Sequence, residues 1–119
     1  MSQNFQAGDY LIFQIESGYG LLRILAIEER DGERVWHLAA YNELFFDIET
    51  ADAALANPYT LTVSIPHVAL TTRAFEATQT ARMTNVPLTD VELKPLEEWR
   101  QSNAAEVSDR SIRLLMGLR

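Results

Sequence analysis

The sequence predicts an α+β fold in which a strongly curved antiparallel sheet closes into a small barrel, with short helices after the third strand and at the C-terminus. Three observations carry that prediction. Alternating apolar runs occupy residues 9–16, 21–28 and 34–41; the turn signals Ser17-Gly18 and Asp31-Gly32 fall between them; and residues 88–118 change to helical spacing. At 119 residues, 47% of them hydrophobic, the chain is long enough to bury a core and reads as one domain over 1–119. The antiparallel barrel takes 7–73 and the helical part 88–118.

The elements follow in order. In "DYLIFQIE" Leu11, Phe13 and Ile15 alternate with Tyr10, Ile12 and Gln14, giving one apolar face and one mixed. Ser17-Gly18 turns the chain, glycine reaching the backbone angles that a tight hairpin needs. The second strand, Leu21 to Glu28, sets Leu22, Ile24 and Ala26 against Leu21, Arg23, Leu25 and Ile27. Asp31-Gly32 is the next hairpin signal, and Arg34 to Tyr41 the third strand. Strands so apolar on both faces suit a curled barrel better than a sheet with one wet side. Gly20 removes a side chain where the sheet bends hard or another backbone passes close.

Beyond Phe46, "DIETADAALANP" predicts a short helix capped by Asp47 or Thr50 and closed by Asn57-Pro58. "YTLTVSI" alternates cleanly and predicts a fourth strand over 59–65, which Pro66 ends or confines to an edge. "HVALTTRAF" predicts a fifth strand with Val68 and Leu70 inward, while "EATQTARMTN" mixes helix and strand signals. Thr89 and Glu92 have capping-box spacing, and Pro95 predicts one short turn followed by a new helix carrying Leu96 and Trp99. "SDRSIRLLMGLR" predicts a last helix capped by Ser108, with Ile112, Leu115 and Met116 on one side and Gly117 at its end.

Charge is placed unevenly. Residues 1–60 hold ten acids against three arginines, which accounts for the whole formal charge of −7; residues 61–119 balance seven acids with seven bases. An acidic half repels phosphate backbones and speeds the encounter with a basic partner. Tyr10, Tyr19, Arg23 and Tyr41 interleave aromatics with arginine as a base-stacking face would, but they lie in that acidic half, so no nucleic acid is expected. No apolar run nears the roughly 18 residues of a membrane helix, and "MSQNFQAGD" lacks the pattern of a secretory signal, so we expect a cytoplasmic protein with no membrane association. The absence of cysteine removes disulfides and thiol chemistry.

Catalytic patterns are missing. Gly18-Tyr19-Gly20 is not followed by a GKS or GKT, Ser17 and Ser64 have no nucleophile setting, and no two acids stand out as a pair. His37 and His67 lack a further ligand at metal spacing, although they could meet across strands. We therefore expect no catalytic residues, no metal, no cofactor and no enzyme activity. The segment "YNELFFDIETAD" does stand out: Tyr41, Leu44, Phe45 and Phe46 lie among Glu43, Asp47, Glu49 and Asp52, apolar anchors with a charged rim such as a basic partner would meet.

The opening Gly8-Asp9, the turn Gly18-Tyr19-Gly20 and the second-strand Arg23-Ile24 resemble, over about residues 7–41, the start of SH3-like small barrels. They are most similar to immunity proteins of bacterial polymorphic-toxin systems, group twenty-six. That resemblance implies a non-catalytic, stoichiometric binder that covers a basic cognate toxin, with Glu43, Phe45, Phe46, Asp47 and Glu49 facing the partner. Two other readings remain open from the residues. One is a small-molecule or peptide-binding barrel with Tyr10, Tyr19, Arg23 and His37 lining a cleft; the other is a homodimer formed through the C-terminal "SIRLLMGLR".

Overall fold

The computed structural model describes residues 4–103 and 105–118. Its strands are β1 (Asp9–Ile15), β2 (Gly18–Arg30), β3 (Glu33–Tyr41), β4 (Val63–Thr71) and β5 (Thr80–Asn85). The helices are α1 (Ile48–Ala54), α2 (Thr72–Glu76), α3 (Asp90–Gln101) and α4 (Ile112–Leu115). All strand pairs are antiparallel, in the order β4-β3-β2-β1-β5, so the fold is α+β around one five-stranded sheet.

The sheet is open, with β4 and β5 at opposite edges, and the expected closure into a barrel is corrected accordingly. The doubly apolar strands are explained by what covers them. Leu11, Leu22 and Ala40 share a face that packs on Phe75 of α2 and Ile112 of α4. The neighbouring positions Tyr10, Arg23 and Ala39 point the other way; there Tyr10, Leu21 and Tyr41 meet Ala51 of α1, and Leu25 and Ala39 lie under Leu96 of α3. Helices on both sides bury what curling would otherwise have to hide. Each fully buried leucine, such as Leu96, contributes about 1.5–3 kcal/mol.

Both hairpin turns fall where the sequence puts them. Asp31 and Gly32 have φ of 54° and 82°, the positive pair of a type I′ turn that matches strand twist, and Arg30 pairs with Glu33 across it. Gly20 has a reason other than the expected bend. It pairs with Phe13, and a Cβ there would sit 2.5 Å from Cζ of that ring, so the glycine makes room for a core aromatic.

Six elements differ from expectation. Pro58–Thr60 is a single 3₁₀ turn with Pro58 at its first position, so β4 starts at Val63 instead of Tyr59. β4 then runs through Pro66 and absorbs His67–Thr71, the first half of the expected fifth strand; it is an edge strand, where a missing N–H is tolerated. Thr71 caps α2 by accepting from the Ala74 N–H, and Phe75 stacks on Trp36 at 4.1 Å between ring centroids. The true fifth strand is the ambiguous stretch at Thr80–Asn85.

α3 does not break at Pro95. The Thr89–Glu92 capping box forms as expected, and Val91, whose carbonyl loses its helical donor to the proline, lies on the exposed side of the helix at 83% exposure. α4 is one turn capped by Ser111, not Ser108. Ser108 instead lies along the β4 edge, donating to the Ala69 carbonyl and accepting from the Thr71 N–H. Ile112, Leu115 and Met116 share a side as expected, but that side covers the chain's own core and leaves Leu114 outward.

Candidate functional site

The segment joining β3 to α1 is fastened to the first hairpin. Tyr19 N–H donates to the Phe45 carbonyl at 2.8 Å, and Phe45 N–H returns a bond to the Tyr19 carbonyl at 2.9 Å. Gly18 permits this approach, because a Cβ there would run into the Phe45 carbonyl oxygen. Alternation about that clamp turns Phe45 inward against the cluster of Tyr10 and Tyr41. Its neighbour Phe46 points outward and is 91% exposed, flanked by half-exposed Leu44 and Ile48. The result is a short apolar ridge on a fixed backbone.

The acids beside it have separate duties. Asp47 caps α1, its Oδ1 accepting from the Thr50 hydroxyl and from the Thr50 N–H at 2.8 Å, and these bonds hold its carboxyl below the usual range. Glu43 accepts from the Thr62 N–H at 2.8 Å; slight burial works to raise its pKa, but that backbone bond wins and lowers it. Glu49, in the first turn of α1, is exposed and has no bonded partner among the described residues. Of the five residues expected to face a partner, Phe46, Asp47 and Glu49 are on the surface, Glu43 is half-buried, and Phe45 is the plug beneath them.

Tyr10, Tyr19, Arg23 and His37 do not assemble as an open cleft. Tyr10, Arg23 and His37 are buried, and Tyr19 is half-buried beside Phe45. Arg23 is a staple at the centre of the sheet. Its Nε and Nη2 bind the two Glu92 oxygens at 2.9 and 3.1 Å, Nη1 binds the Gly8 and Val86 carbonyls at 2.6 and 2.8 Å, and Nη2 reaches the Pro87 carbonyl at 3.2 Å. Its guanidinium also lies 4.2 Å from the Tyr10 ring centroid. Asp9 acts similarly, binding Arg82 Nε at 3.0 Å and Asn85 Nδ2 at 2.9 Å and so tying β1 to β5. The polar residues that carry the family resemblance thus spend their hydrogen bonds inside the fold.

The two histidines do meet. His37 Nδ1 lies 2.9 Å from His67 Nε2, and His37 Nε2 lies 2.7 Å from Glu28 Oε1. Arg100 of α3 binds the other Glu28 oxygen at 2.6 Å, and Trp99 stands edge-on to His37. Burial works to raise the Glu28 carboxyl, but bonds from Arg100 and His37 outweigh it and keep it ionised. An ionised carboxylate only accepts, so His37 carries its proton on Nε2 and receives the His67 Nε2–H on Nδ1. Burial pushes both histidines below their ordinary value, and His67, with His37 beside it, falls to about 4. Metal–nitrogen bonds of about 2.0–2.1 Å would need these rings further apart. Among the described residues no three His, Asp or Glu side chains group as a metal site.

A cleft of about 740 Å³ beside the Asp31-Gly32 turn, lined by Arg30, Glu33, Arg34, Arg73 and Asp109, and a less polar one under α3 both have the size of a ligand site. The second, of about 620 Å³, lies between the N-terminal half of α3 and the Pro58–Thr60 turn, over Leu25 and Ala39 of the sheet. Tyr59, Val63 and Val91 on its lips are exposed. Sequence reading missed it because it joins residues from five separate elements; the one available signal was the prolines, three of whose four (Pro58, Pro66 and Pro95) line its walls. No protein-family model, no curated protein and no solved structure matches the chain. Among the described residues no helix is long and apolar enough to cross a membrane.

Proposed function

We propose that this protein is a non-catalytic protein-binding module that presents the Phe46 ridge, with its acidic rim, to a basic partner. The observation that carries the reading is a phenylalanine 91% exposed on a backbone clamped at both Phe45 bonds. Solvent-exposed aromatics cost solubility, and a rigid one loses little entropy on docking, which is what a binding anchor requires. Asp47 and Glu49 beside it, in the half of the chain that holds all the excess negative charge, supply long-range attraction to a cationic surface. A bacterial immunity protein that covers a basic toxin is the form of this function that the N-terminal resemblance favours.

The test is co-expression with the protein encoded by the adjacent gene, followed by binding kinetics on the purified pair. We expect a 1:1 complex, and Phe46→Ala to weaken it by about 2 kcal/mol or more, as a central aromatic anchor does. Asp47→Asn keeps the helix cap and Glu49→Gln touches nothing else; together they should slow association at low salt and leave it unchanged at high salt. A toxin-like neighbour that does not bind, or a complex indifferent to all three changes, would overturn the reading.

A further inference from the structure

We infer that the 620 Å³ cleft between α3 and the Pro58–Thr60 turn is a second, independent site, built for an uncharged and largely apolar ring compound. Its size falls within the range of about 300–1,000 Å³ that small-molecule sites occupy. Its floor is aliphatic, Leu25 and Ala39, and three walls are prolines whose rings are fixed by the backbone. Tyr59, 68% exposed, is the one aromatic ring on the lip.

The chemistry of the occupant follows from which polar groups are already spent. Glu92 reaches the cleft, but both its oxygens accept from Arg23, and Oε1 also accepts from Thr89. Burial works to raise its pKa, yet those bonds hold it low, so it stays a neutralised carboxylate and offers little to an ammonium group. Tyr41, also on the wall, packs beside Tyr10, with ring centroids 6.1 Å apart. No lining side chain is cationic, so a carboxylate or phosphate finds no counter-charge. An extended peptide fares no better. Pro58, Pro66 and Pro95 have no N–H to give, and the Thr62 N–H near the wall is held by Glu43. What remains is a largely apolar surface edged by Tyr59 and by Val91, whose carbonyl has no helical donor, which suits a neutral fused-ring hydrophobe.

The test uses N-phenyl-1-naphthylamine, an uncharged dye that brightens in apolar surroundings, with the full chain. We expect saturable 1:1 binding. Val63→Trp, at a half-exposed position on the lip, should fill the cleft and raise the Kd at least about tenfold without unfolding the protein. Tyr59→Ala is a second variant, expected to weaken binding roughly threefold or more by removing the lip ring. Anilinonaphthalene sulfonate, the same rings with a negative charge, should bind at least about tenfold more weakly. Phe46→Ala should change nothing. No saturable signal, a signal that survives both lip variants, equal affinity for the sulfonate, or loss of signal with Phe46→Ala would each overturn the inference.

Discussion

Arg23→Met tests whether the arginine of the second strand is a fold staple, as its bonds indicate. Methionine refills the volume of the aliphatic stem but withdraws every donor. Glu92 loses its counter-ion, the Val86 and Pro87 carbonyls lose the Arg23 donors, and the Gly8 carbonyl keeps only the Val86 N–H. Removing one member of a buried pair costs about 3–5 kcal/mol. Glu92 is 21% exposed at its side chain and keeps Thr89, which places the cost near the lower end, about 3 kcal/mol. With a urea slope of about 1–1.5 kcal/mol/M for a domain of this size, the midpoint should fall by about 2–3 M. Equilibrium urea unfolding followed by circular dichroism reads this directly. The paired change Arg23→Met with Glu92→Leu removes both charges and should recover much of the loss, since the stranded carboxylate is then gone. A loss under about 1 kcal/mol, the worth of an exposed ion pair, would refute the staple, as would a double variant no more stable than Arg23→Met alone.

Two further outcomes bear on the site. Gly18→Ala should push the Phe45 carbonyl off the first hairpin, costing about 1–3 kcal/mol and speeding amide exchange at Tyr19 and Phe45; protected amides in that variant would mean the ridge is not held as described. Stability should also fall on mild acidification. The folded pKa values of His37 and His67 lie below 6.5, so the unfolded chain takes up protons first, and stability is lost as pH drops from about 6.5 toward about 4. Glu28, Glu43, Asp47 and Glu92 are held below the usual carboxylate range and add their losses only under about pH 4.5, so pH 7 to 5 isolates the histidines. Up to about 2 kcal/mol is expected there from His67, with a further loss in the same direction from His37, and His67→Gln should flatten the curve; a wild-type melting temperature constant across that range would contradict it.

The sequence made the meander legible because alternation and turn chemistry are local. Asp31-Gly32 dictates its own turn, and Thr89 with Glu92 its own cap. What failed was decided at a distance. The apolar residues on both strand faces are equally consistent with curling and with helices above and below, and only the docking of Phe75 and Ile112 on one face and Leu96 on the other distinguishes them. The Phe46 ridge was visible as aromatics among acids, but which phenylalanine faces water depended on a bond from Phe45 to Tyr19, 26 positions earlier. The cleft and the place of Glu28 beside the histidines were invisible for the same reason, whereas the meeting of His37 and His67 across strands was left open; all of them join side chains that only the sheet register makes neighbours.

The ridge and the cleft are distinct in chemistry but share a support. Glu43 leaves the ridge segment to hold the Thr62 N–H, and Asn42 N–H donates to the Thr62 carbonyl at 2.8 Å. Those bonds fix the strand start that carries Leu61 and Val63, two residues of the cleft wall. A change at Glu43 therefore disturbs both places at once: it removes a rim charge and frees the wall. That is why Glu49→Gln, with no bond to lose, is the change that reports on charge alone. If Glu43→Ala, which removes the acceptor as well as the charge, weakened dye binding while Glu49→Gln did not, the difference would measure how far the cleft depends on its tie to the ridge, separately from any electrostatic effect of the acidic half.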